Sequence, residues 1–304
     1  METKKLCFLG CGNLGTAILD SLLGTPSATQ PQTLLFAQIG ACVASTASAE
    51  RLSSQFANHL QTKRLNVLAA DKDNNHAVAG AVQGADVVLL ALPPGAIEAA
   101  LTAPEIHSAL ADKLLISVAA GWTRQRLESV LGSSSTERRL WVVRTLPNIA
   151  ALVGESLTAV EDDQPDLPGP YMEIVDGLFG RVGAVMHLPP SQMDAVTAVA
   201  GSTPAFFAVI VDAMVDAAVA VGVPRPAAQT MVFQAMRGTA GLLQSGVHPA
   251  LLKDQGTAPE GCTMGGLMVL EEAAVRGSVG RALREAVTVA RRMDGVRHVN
   301  DTRE

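Results

Sequence analysis

The stretch KKLCFLGCGNLG, residues 4–15, decides the fold of this chain of 304 residues. Its first half is largely apolar, which predicts a strand buried on both faces, as in a parallel sheet. Its second half has the spacing G-x-G-x-x-G and leads into a helix predicted at residues 13–23. The first glycine of such a loop permits a tight turn, the second lets the backbone approach a diphosphate, and the third allows close packing of helix and strand. We therefore predict a dinucleotide at the start of this helix, where free N–H groups favour an anion. The predicted loop contacts are Gly10, Gly12, Asn13, Leu14 and Gly15.

Strands and helices alternate along the rest of the first half. Further strands are predicted at residues 34–45, 67–70, 85–92, 113–119, 140–144 and 156–160. Short connections between alternating strands and helices indicate an α/β fold with a Rossmann-like, doubly wound parallel sheet.

A polar, proline-rich segment at residues 162–170 is the best candidate for a domain boundary. We predict a dinucleotide-binding domain at residues 1–163 and a helical domain at 164–304, with a strand-like segment at 183–188 able to join the first sheet. Beyond it the periodic segments are helical, at residues 192–200, 205–221, 226–244, 263–276 and 279–293.

Composition excludes several classes of partner. The formal net charge is −6 with no basic stripe, so we expect no nucleic-acid partner. Asp212 and Asp216 interrupt the most apolar segment, so we expect no membrane span. The four cysteines form no C-x-x-C pair and the six histidines show no ligand spacing, so we expect reduced thiols, no metal and a cytoplasmic protein.

The end of the second predicted strand favours NADPH over NADH. An NAD enzyme places an acidic residue there for the ribose 2′-hydroxyl, whereas this chain has hydroxyls and a cation. These groups suit a 2′-phosphate. In the alternative interpretation they only cap the next helix. The residues are Ser45, Thr46, Ser48 and Arg51.

An ordered set of motifs resembles the Δ1-pyrroline-5-carboxylate reductase family. It begins with the glycine loop, continues through 85–93 and 116–123, and includes RTLPN at 144–148. The helical half supplies GSTPAF at 201–206, SGVHP at 245–249, APEGCT at 258–263 and VLEE at 269–272. Together these motifs extend over nearly the whole chain.

The resemblance implies a Rossmann-like domain followed by an all-helical dimerisation domain. In this family two subunits interlock, and each active site combines one subunit's cofactor with the other's substrate loop. The apolar segment 205–221 is compatible with a buried interface, although it is also compatible with the core of a monomer.

The resemblance also implies roles for individual residues. The Thr263 hydroxyl would contact the ring nitrogen of a cyclic imine and act as the catalytic group, unless Thr263 is only a helix N-cap. Asn148 would lie beside the nicotinamide. The remaining cofactor contacts are Ala91, Leu92 and Pro93, and the substrate loop comprises Ala258, Glu260, Gly261, Cys262 and Thr263.

The chain departs from the family pattern in its substrate loop. Glu260 replaces a glycine and Ala258 a serine, while Ala150 and Thr203 are departures elsewhere. A solvent-facing Glu260 is favoured by the helix dipole. A pocket-facing Glu260 would repel an anionic substrate, and a positive φ at this position would strain the loop.

Three functions remain open from the sequence. The first is NADPH-dependent reduction of Δ1-pyrroline-5-carboxylate to L-proline. The second is reduction of a different, uncarboxylated cyclic imine in secondary metabolism. The third is a non-catalytic, NADPH-binding regulatory protein. A hydroxyacid dehydrogenase is disfavoured because residues 201–221 contain no lysine.

Overall fold

The computed structural model describes residues 4–24, 36–70, 75–132 and 140–293. These residues divide into two compact units. The first comprises the described residues up to Gly201 together with 287–293, and the second comprises residues 202–286.

The first unit is built on an eight-stranded sheet. Its strands are β1 (Lys4–Leu9), β2 (Phe36–Val43), β3 (Leu65–Ala69), β4 (Val87–Leu90), β5 (Leu114–Ser117), β6 (Trp141–Leu146), β7 (Ser156–Glu161) and β8 (Gly183–Leu188). Its helices are α1 (Asn13–Leu23), α2 (Thr46–Gln55), α3 (Ala57–Gln61), α4 (Asn75–Gln83), α5 (Pro94–Thr102), α6 (Pro104–Ala109), α7 (Arg124–Leu131), α8 (Gly169–Phe179) and α9 (Pro190–Val199). The strand order is β3-β2-β1-β4-β5-β6-β7-β8. The order reverses beside β1, which confirms the predicted doubly wound fold.

The central strands are buried on both faces. Every residue of β4 and β5 is buried, as their uninterrupted apolar sequences predict. One core layer contains Phe8 and Ile18, and the other contains Leu90 and Ile97. Burying each such side chain contributes about 1.5–3 kcal/mol, so the sheet provides a rigid base for the loops at its edge.

The sheet differs from an all-parallel one at a single pairing. β6 and β7 are antiparallel, whereas the other neighbours are parallel. Only residues 147–155, including a 3₁₀ helix at Ile149–Val153, connect them. This connection is too short for the crossover that a parallel pair needs.

The division of the chain lies later than the predicted boundary between residues 163 and 164. β8 pairs with β7 along its whole length, so the segment 183–188 belongs to the first sheet. α8 provides the crossover between these two parallel strands. Residues 164–201 are consequently part of the first unit.

The second unit is helical. Its elements are α10 (Thr203–Ala220), α11 (Arg225–Gln244), α12 (Pro249–Gln255), α13 (Cys262–Glu272) and the greater part of α14 (Val275–Arg292). α12 was not predicted. The helix predicted at 263–276 instead ends at Glu272, because Ala274 adopts a left-handed φ of 51° that interrupts the helical backbone.

The helices of the second unit leave much apolar surface exposed. In α10 only Val215 is buried, whereas Val209 is 72% exposed. Residues 190–220 are long and apolar enough, by length and composition alone, to cross a membrane, although α9 and α10 divide this stretch. Exposed apolar surface of this kind is typical of helices that associate with another apolar surface.

Candidate functional site

The glycine loop is folded tightly against the end of β4. Gly10 has a φ of 90°, and a Cβ atom built there would lie 2.6 Å from the Ala91 carbonyl oxygen and 2.9 Å from Leu92 Cδ2. The Gly10 N–H donates to the Cys42 carbonyl at 3.0 Å. Only glycine accommodates both this backbone conformation and this contact. The structure thus brings together Gly10, Ala91 and Leu92, which the sequence predicted separately.

The second and third glycines have different surroundings. A Cβ on Gly12 would meet no described atom within 4 Å, whereas one on Gly15 would lie 3.2 Å from the Gly10 carbonyl oxygen. Gly12 is the N-cap of α1, and this helix end has neither a side-chain cap nor an acidic residue in its first turn. Asn13, Leu14 and Gly15 begin the helix, so their backbone N–H groups lie at its positive end. Open space above uncapped N–H groups fits a diphosphate.

Cys11 places a buried thiol inside this loop. Burial raises the pKa of the Cys11 thiol to about 11, while its hydrogen bond with Thr16 and the positive charge of Arg51 act in the opposite direction. The thiol is therefore protonated at neutral pH and adds no negative charge beside a bound diphosphate.

The hydroxyls after β2 cap α2. The Ser48 N–H donates to Ser45 Oγ at 3.3 Å, and Ser45 Oγ donates to Ser48 Oγ at 3.1 Å. Ser45 is therefore the N-cap of α2, and the contact of these residues with a 2′-phosphate stays a prediction. A hydroxyl that accepts one hydrogen bond still has its own proton to donate, so the Ser48 hydroxyl remains chemically suited to a phosphate oxygen. Thr46 and Arg51 are exposed beside it.

An apolar cleft of about 490 Å³ lies at the carboxyl ends of β1 to β4. Its lining consists of Leu9, Gly10, Cys42, Val43, Ala44, Ala70, Val78, Leu92, Ala99, Ala100, Ala103, Pro104, Glu105 and Ile106. In doubly wound sheets ligands bind at this edge, next to the point where the strand order reverses. The volume is in the range of small-molecule sites, so the cleft can accept the nucleoside adjoining a diphosphate. Pro93 is exposed at the N-cap of α5 nearby.

Asn148 forms hydrogen bonds within the first unit through both its side chain and its backbone. Its Oδ1 accepts from the Ala150 N–H at 3.0 Å, and its Nδ2 donates to the Ala200 carbonyl at 2.9 Å. Its backbone N–H donates to Ser156 Oγ at 3.0 Å. Asn148 therefore caps the 3₁₀ helix and ties it to the end of α9. Its contact with a nicotinamide stays a prediction.

A network of buried charged side chains joins β6, β7, α7 and α9. Arg144 Nη2 donates to Asp194 Oδ1 at 2.9 Å, and Arg144 Nη1 lies 3.7 Å from Glu161 Oε2. Arg124 Nε donates to Glu161 Oε1 at 3.1 Å. The sequence did not predict this network, although a charged residue inside each of the apolar strands β6 and β7, Arg144 and Glu161, pointed to buried charge.

The substrate loop of the second unit forms a turn before α13. The Gly261 N–H donates to the Ala258 carbonyl at 3.0 Å, and Glu260 has a φ of 61°. With Pro259 in second position and a positive φ in third, the turn has the features of type II, which prefers glycine where Glu260 stands. The positive φ that would strain the loop at a residue other than glycine is therefore present at Glu260.

Thr263 is not the cap of this helix. Gly261 is the N-cap and makes no side-chain hydrogen bond, so Cys262 and Thr263 occupy the first two helical positions. The N-cap alternative for Thr263 is therefore wrong. Among the described residues, none forms a hydrogen bond with the Thr263 hydroxyl, and its side chain is exposed. This hydroxyl is available to a ligand.

Two protein-family models match the chain, one in each half. Residues 190–293 match the family model for pyrroline-5-carboxylate reductase dimerisation, and residues 5–121 match the model for NADP oxidoreductase, coenzyme F420-dependent. A pyrroline-5-carboxylate reductase of Lophium arboricola is 41% identical over 98% of this chain and 96% of its own. One of Neurospora crassa is 36% identical over 98% of this chain and 96% of its own.

The chain belongs to the pyrroline-5-carboxylate reductase family. A solved structure of Plasmodium falciparum pyrroline carboxylate reductase shares the fold, with a TM-score of 0.76 at 23% identity, over 97% of this chain and 99% of that one. Within this family member, the glycine loop and the cleft lie in the segment matched at 5–121, and the loop before Thr263 lies in the segment matched at 190–293. The glycine loop and the loop before Thr263 thus belong to different structural units.

Proposed function

We propose that the protein reduces the C=N bond of Δ1-pyrroline-5-carboxylate, with NADPH, to give L-proline. The observation that carries this proposal is the similarity of 41% over 98% of the chain to a pyrroline-5-carboxylate reductase. This similarity includes the cofactor loop and the segment around Thr263, so it supports the complete reaction rather than cofactor binding alone.

The reaction needs a hydride at carbon and a proton at nitrogen. The reduced nicotinamide supplies the hydride when it is bound. A cyclic imine is basic enough to bind as its iminium, so a strong general acid is not obligatory. We assign to Thr263 the hydrogen bond at the ring nitrogen, and this role is supported by its exposed hydroxyl at the second position of α13.

The start of α13 suits the substrate carboxylate. This helix end has no side-chain cap and no acidic residue in its first turn, and uncapped N–H groups attract an anion. We propose that Cys262 and Thr263 contribute their backbone N–H groups there, because the Gly261 N–H already donates to the Ala258 carbonyl. Holding the carboxylate and the ring nitrogen at one helix end would orient the imine, which is a large part of catalysis by positioning.

We propose NADPH as the preferred cofactor. Arg51 and Ser48 lie in the first two turns of α2, directly after β2, and no acidic residue occurs at 44–48. A 2′-phosphate would form charge-assisted hydrogen bonds with these groups, whereas the 2′-hydroxyl of NADH would lack its usual carboxylate partner.

We propose a homodimer, or a larger homo-oligomer, whose active sites are shared between subunits. The match of residues 190–293 to a dimerisation model supports a second copy of the chain as the partner of the second unit. The exposed apolar residues of α10, α11 and α13, including Val209, Met231 and Met268, supply the surface that such an interface would bury.

Reduction of an uncarboxylated cyclic imine is the second candidate, because of the substrate loop. Glu260 adds a carboxylate where the turn prefers glycine, and Ala258 has no hydroxyl. A Glu260 side chain facing the pocket would repel an anionic substrate by an amount that grows as water is excluded.

The experiment that tests the proposal is NADPH oxidation with Δ1-pyrroline-5-carboxylate, a piperideine carboxylate and 1-pyrroline. Rapid turnover of pyrroline-5-carboxylate supports proline synthesis. Preference for 1-pyrroline favours the second candidate. Turnover of none of these imines would refute both and leave a nucleotide-binding protein.

We propose a cytosolic location for this activity. The sulfur atoms of Cys7 and Cys42 lie 3.9 Å apart and are free thiols. The hydrogen bond with Cys42 and burial raise the pKa of the Cys7 thiol. Two free thiols so close together are compatible with a reducing compartment.

A further inference from the structure

The cleft at the carboxyl ends of β1 to β4 contains one carboxylate among its described lining residues. Glu105 supplies it, and the other lining side chains are hydrocarbon or, at Cys42, a thiol. A single acceptor in an apolar cleft orients a ligand, because the apolar walls bind without direction and the polar group sets the pose.

Glu105 lies where the base of a bound dinucleotide is expected. Gly10, where the diphosphate loop begins, lines one part of this cleft, and α6, which carries Glu105, lines another. The groups suited to a 2′-phosphate follow β2, next to Ala44 of the same lining. A nucleoside placed between these landmarks would direct its base toward α6.

The Glu105 carboxylate keeps hydrogen-bonding capacity toward the cleft. His76 Nδ1 lies 3.1 Å from Glu105 Oε2, and the side chains are 89% and 45% exposed, respectively. A carboxylate accepts about four hydrogen bonds, so the contact with His76 leaves room for another donor. This contact also restricts where the carboxylate lies at the edge of the cleft.

We propose that Glu105 recognises the adenine of the dinucleotide by accepting a hydrogen bond from its exocyclic 6-amino group, and that it thereby discriminates against 6-oxo purines. The inference rests on the proposed function in that NAD(P)H is the cofactor. A carboxylate has no proton to donate. The 6-oxygen of hypoxanthine would therefore face it acceptor to acceptor, without a hydrogen bond.

The size of the discrimination follows from the exposure of Glu105. A fully buried site that hydrogen-bonds one substrate group rejects the analogue lacking it by a factor of about 10⁴ or more. Glu105 is partly solvated, so water can satisfy the unpaired groups and we expect a factor of about ten.

A purely structural role for Glu105 makes a different prediction. Glu105 lies in the first turn of α6, where a carboxylate is favoured by the helix dipole, and it pairs with His76. Neither interaction distinguishes adenine from hypoxanthine. The ratio of the two dissociation constants therefore separates base recognition from a structural role.

The test measures binding rather than turnover, on the whole protein by isothermal titration calorimetry. NADP⁺ and its hypoxanthine counterpart are titrated into the wild type and Glu105→Gln. We expect the wild type to bind NADP⁺ about tenfold more tightly and Glu105→Gln to reduce that ratio to about one, because a glutamine amide can serve either base.

Two further variants serve as controls. Glu98→Gln removes a carboxylate of the neighbouring helix that does not line the cleft, and His76→Ala removes the contact with His76 but keeps the Glu105 carboxylate. Both should retain the wild-type ratio. A ratio near one in the wild type, an unchanged ratio in Glu105→Gln, or an equal collapse in His76→Ala would overturn the proposal.

The outcome is separable from that of the proposed function. Tenfold discrimination that depends on Glu105, together with no reduction of any imine, would uphold base recognition and refute the reductase. Imine reduction, together with a ratio of dissociation constants that does not depend on Glu105, would uphold the reductase and refute base recognition.

Discussion

Arg144 and Asp194 join strand β6 to helix α9 through a hydrogen bond of 2.9 Å. The Arg144 side chain is 3% exposed, and it also faces Glu161 at 3.7 Å. At the carboxyl end of α9, the Asn148 amide donates to the Ala200 carbonyl. The helix that precedes the second unit is thus fixed at two points by residues of β6 and of the loop that follows it.

Arg144→Met should destabilise the protein strongly. It leaves the carboxylates of Asp194 and Glu161 without their shared cation, and removing one partner of a buried ion pair costs about 3–5 kcal/mol. Chemical denaturation at a fixed protein concentration measures this loss. The matched control is Arg225→Met, which breaks the 2.6 Å pair with Asp216 between half-exposed side chains and should cost less than about 1 kcal/mol. Equal losses in the two variants would contradict a structural role for the buried network.

Gly12→Ala and Gly10→Ala should separate cofactor binding from folding. A Cβ at Gly12 meets no described atom within 4 Å, so Gly12→Ala should keep its thermal midpoint and weaken NADPH binding about tenfold or more by occupying the diphosphate space. Gly10→Ala should lower both the thermal midpoint and the NADPH affinity, because φ is 90° and the new Cβ would lie 2.6 Å from the Ala91 oxygen. Thermal melts and NADPH titrations of both variants test this. Unchanged NADPH affinity in Gly12→Ala would place the diphosphate elsewhere.

Features set by neighbouring residues could be predicted from the sequence. The buried strands β4 and β5 follow from their apolar runs, and the geometry of the glycine loop follows from its spacing. In each case the side chains that determine the structure lie within a few positions of one another. The order of strands and helices then limited the sheet to a doubly wound topology.

Features set by distant residues could not be predicted. Arg144 and Asp194 are 50 residues apart, and Glu105 lines the cleft only because α6 packs against α4 and α5. The end of α13 is a local feature that also escaped prediction, since Ala273 and Ala274 are good helix formers and nothing in their sequence marks the left-handed φ of Ala274.

Arg51→Ala should weaken the preference for NADPH. Loss of a hydrogen bond to a charged group costs about 1.5–3 kcal/mol, so we expect the dissociation constant of NADPH to rise by about tenfold or more while that of NADH stays the same. Titration of both cofactors measures the change. Lys63→Ala removes one positive charge from an exposed position outside the cofactor loop and controls for net charge. Equal weakening of NADH would show that Arg51 does not contact a 2′-phosphate.

Glu260→Gly and Glu260→Ala should distinguish strain from charge. At a φ of 61°, replacing a side chain by hydrogen relieves about 1–2 kcal/mol, so Glu260→Gly should raise the free energy of unfolding and Glu260→Ala should not. If the carboxylate faces the substrate, both variants should lower the KM for pyrroline-5-carboxylate and leave that for 1-pyrroline unchanged. Chemical denaturation and steady-state kinetics with both imines provide the two measurements. No gain in stability in the glycine variant would mean that the turn is unstrained.

Thr263→Ala should lower kcat and leave NADPH binding nearly unchanged. Thr263 stands at the second position of α13 with Gly261 as the cap, so its loss does not remove a helix cap. A hydrogen bond to a cationic ring nitrogen is worth about 1.5–3 kcal/mol, which corresponds to a fall in kcat of about ten- to a hundredfold. Thr263→Ser keeps the hydroxyl and should retain most of the activity. Thr62→Ala removes an exposed hydroxyl that bonds only to the local backbone carbonyls of Asn58 and His59, and should not change kcat. Full activity of Thr263→Ala would leave the hydrogen bond at the ring nitrogen to another group, whereas equal losses in the alanine and serine variants would point to the methyl group and to packing of the loop.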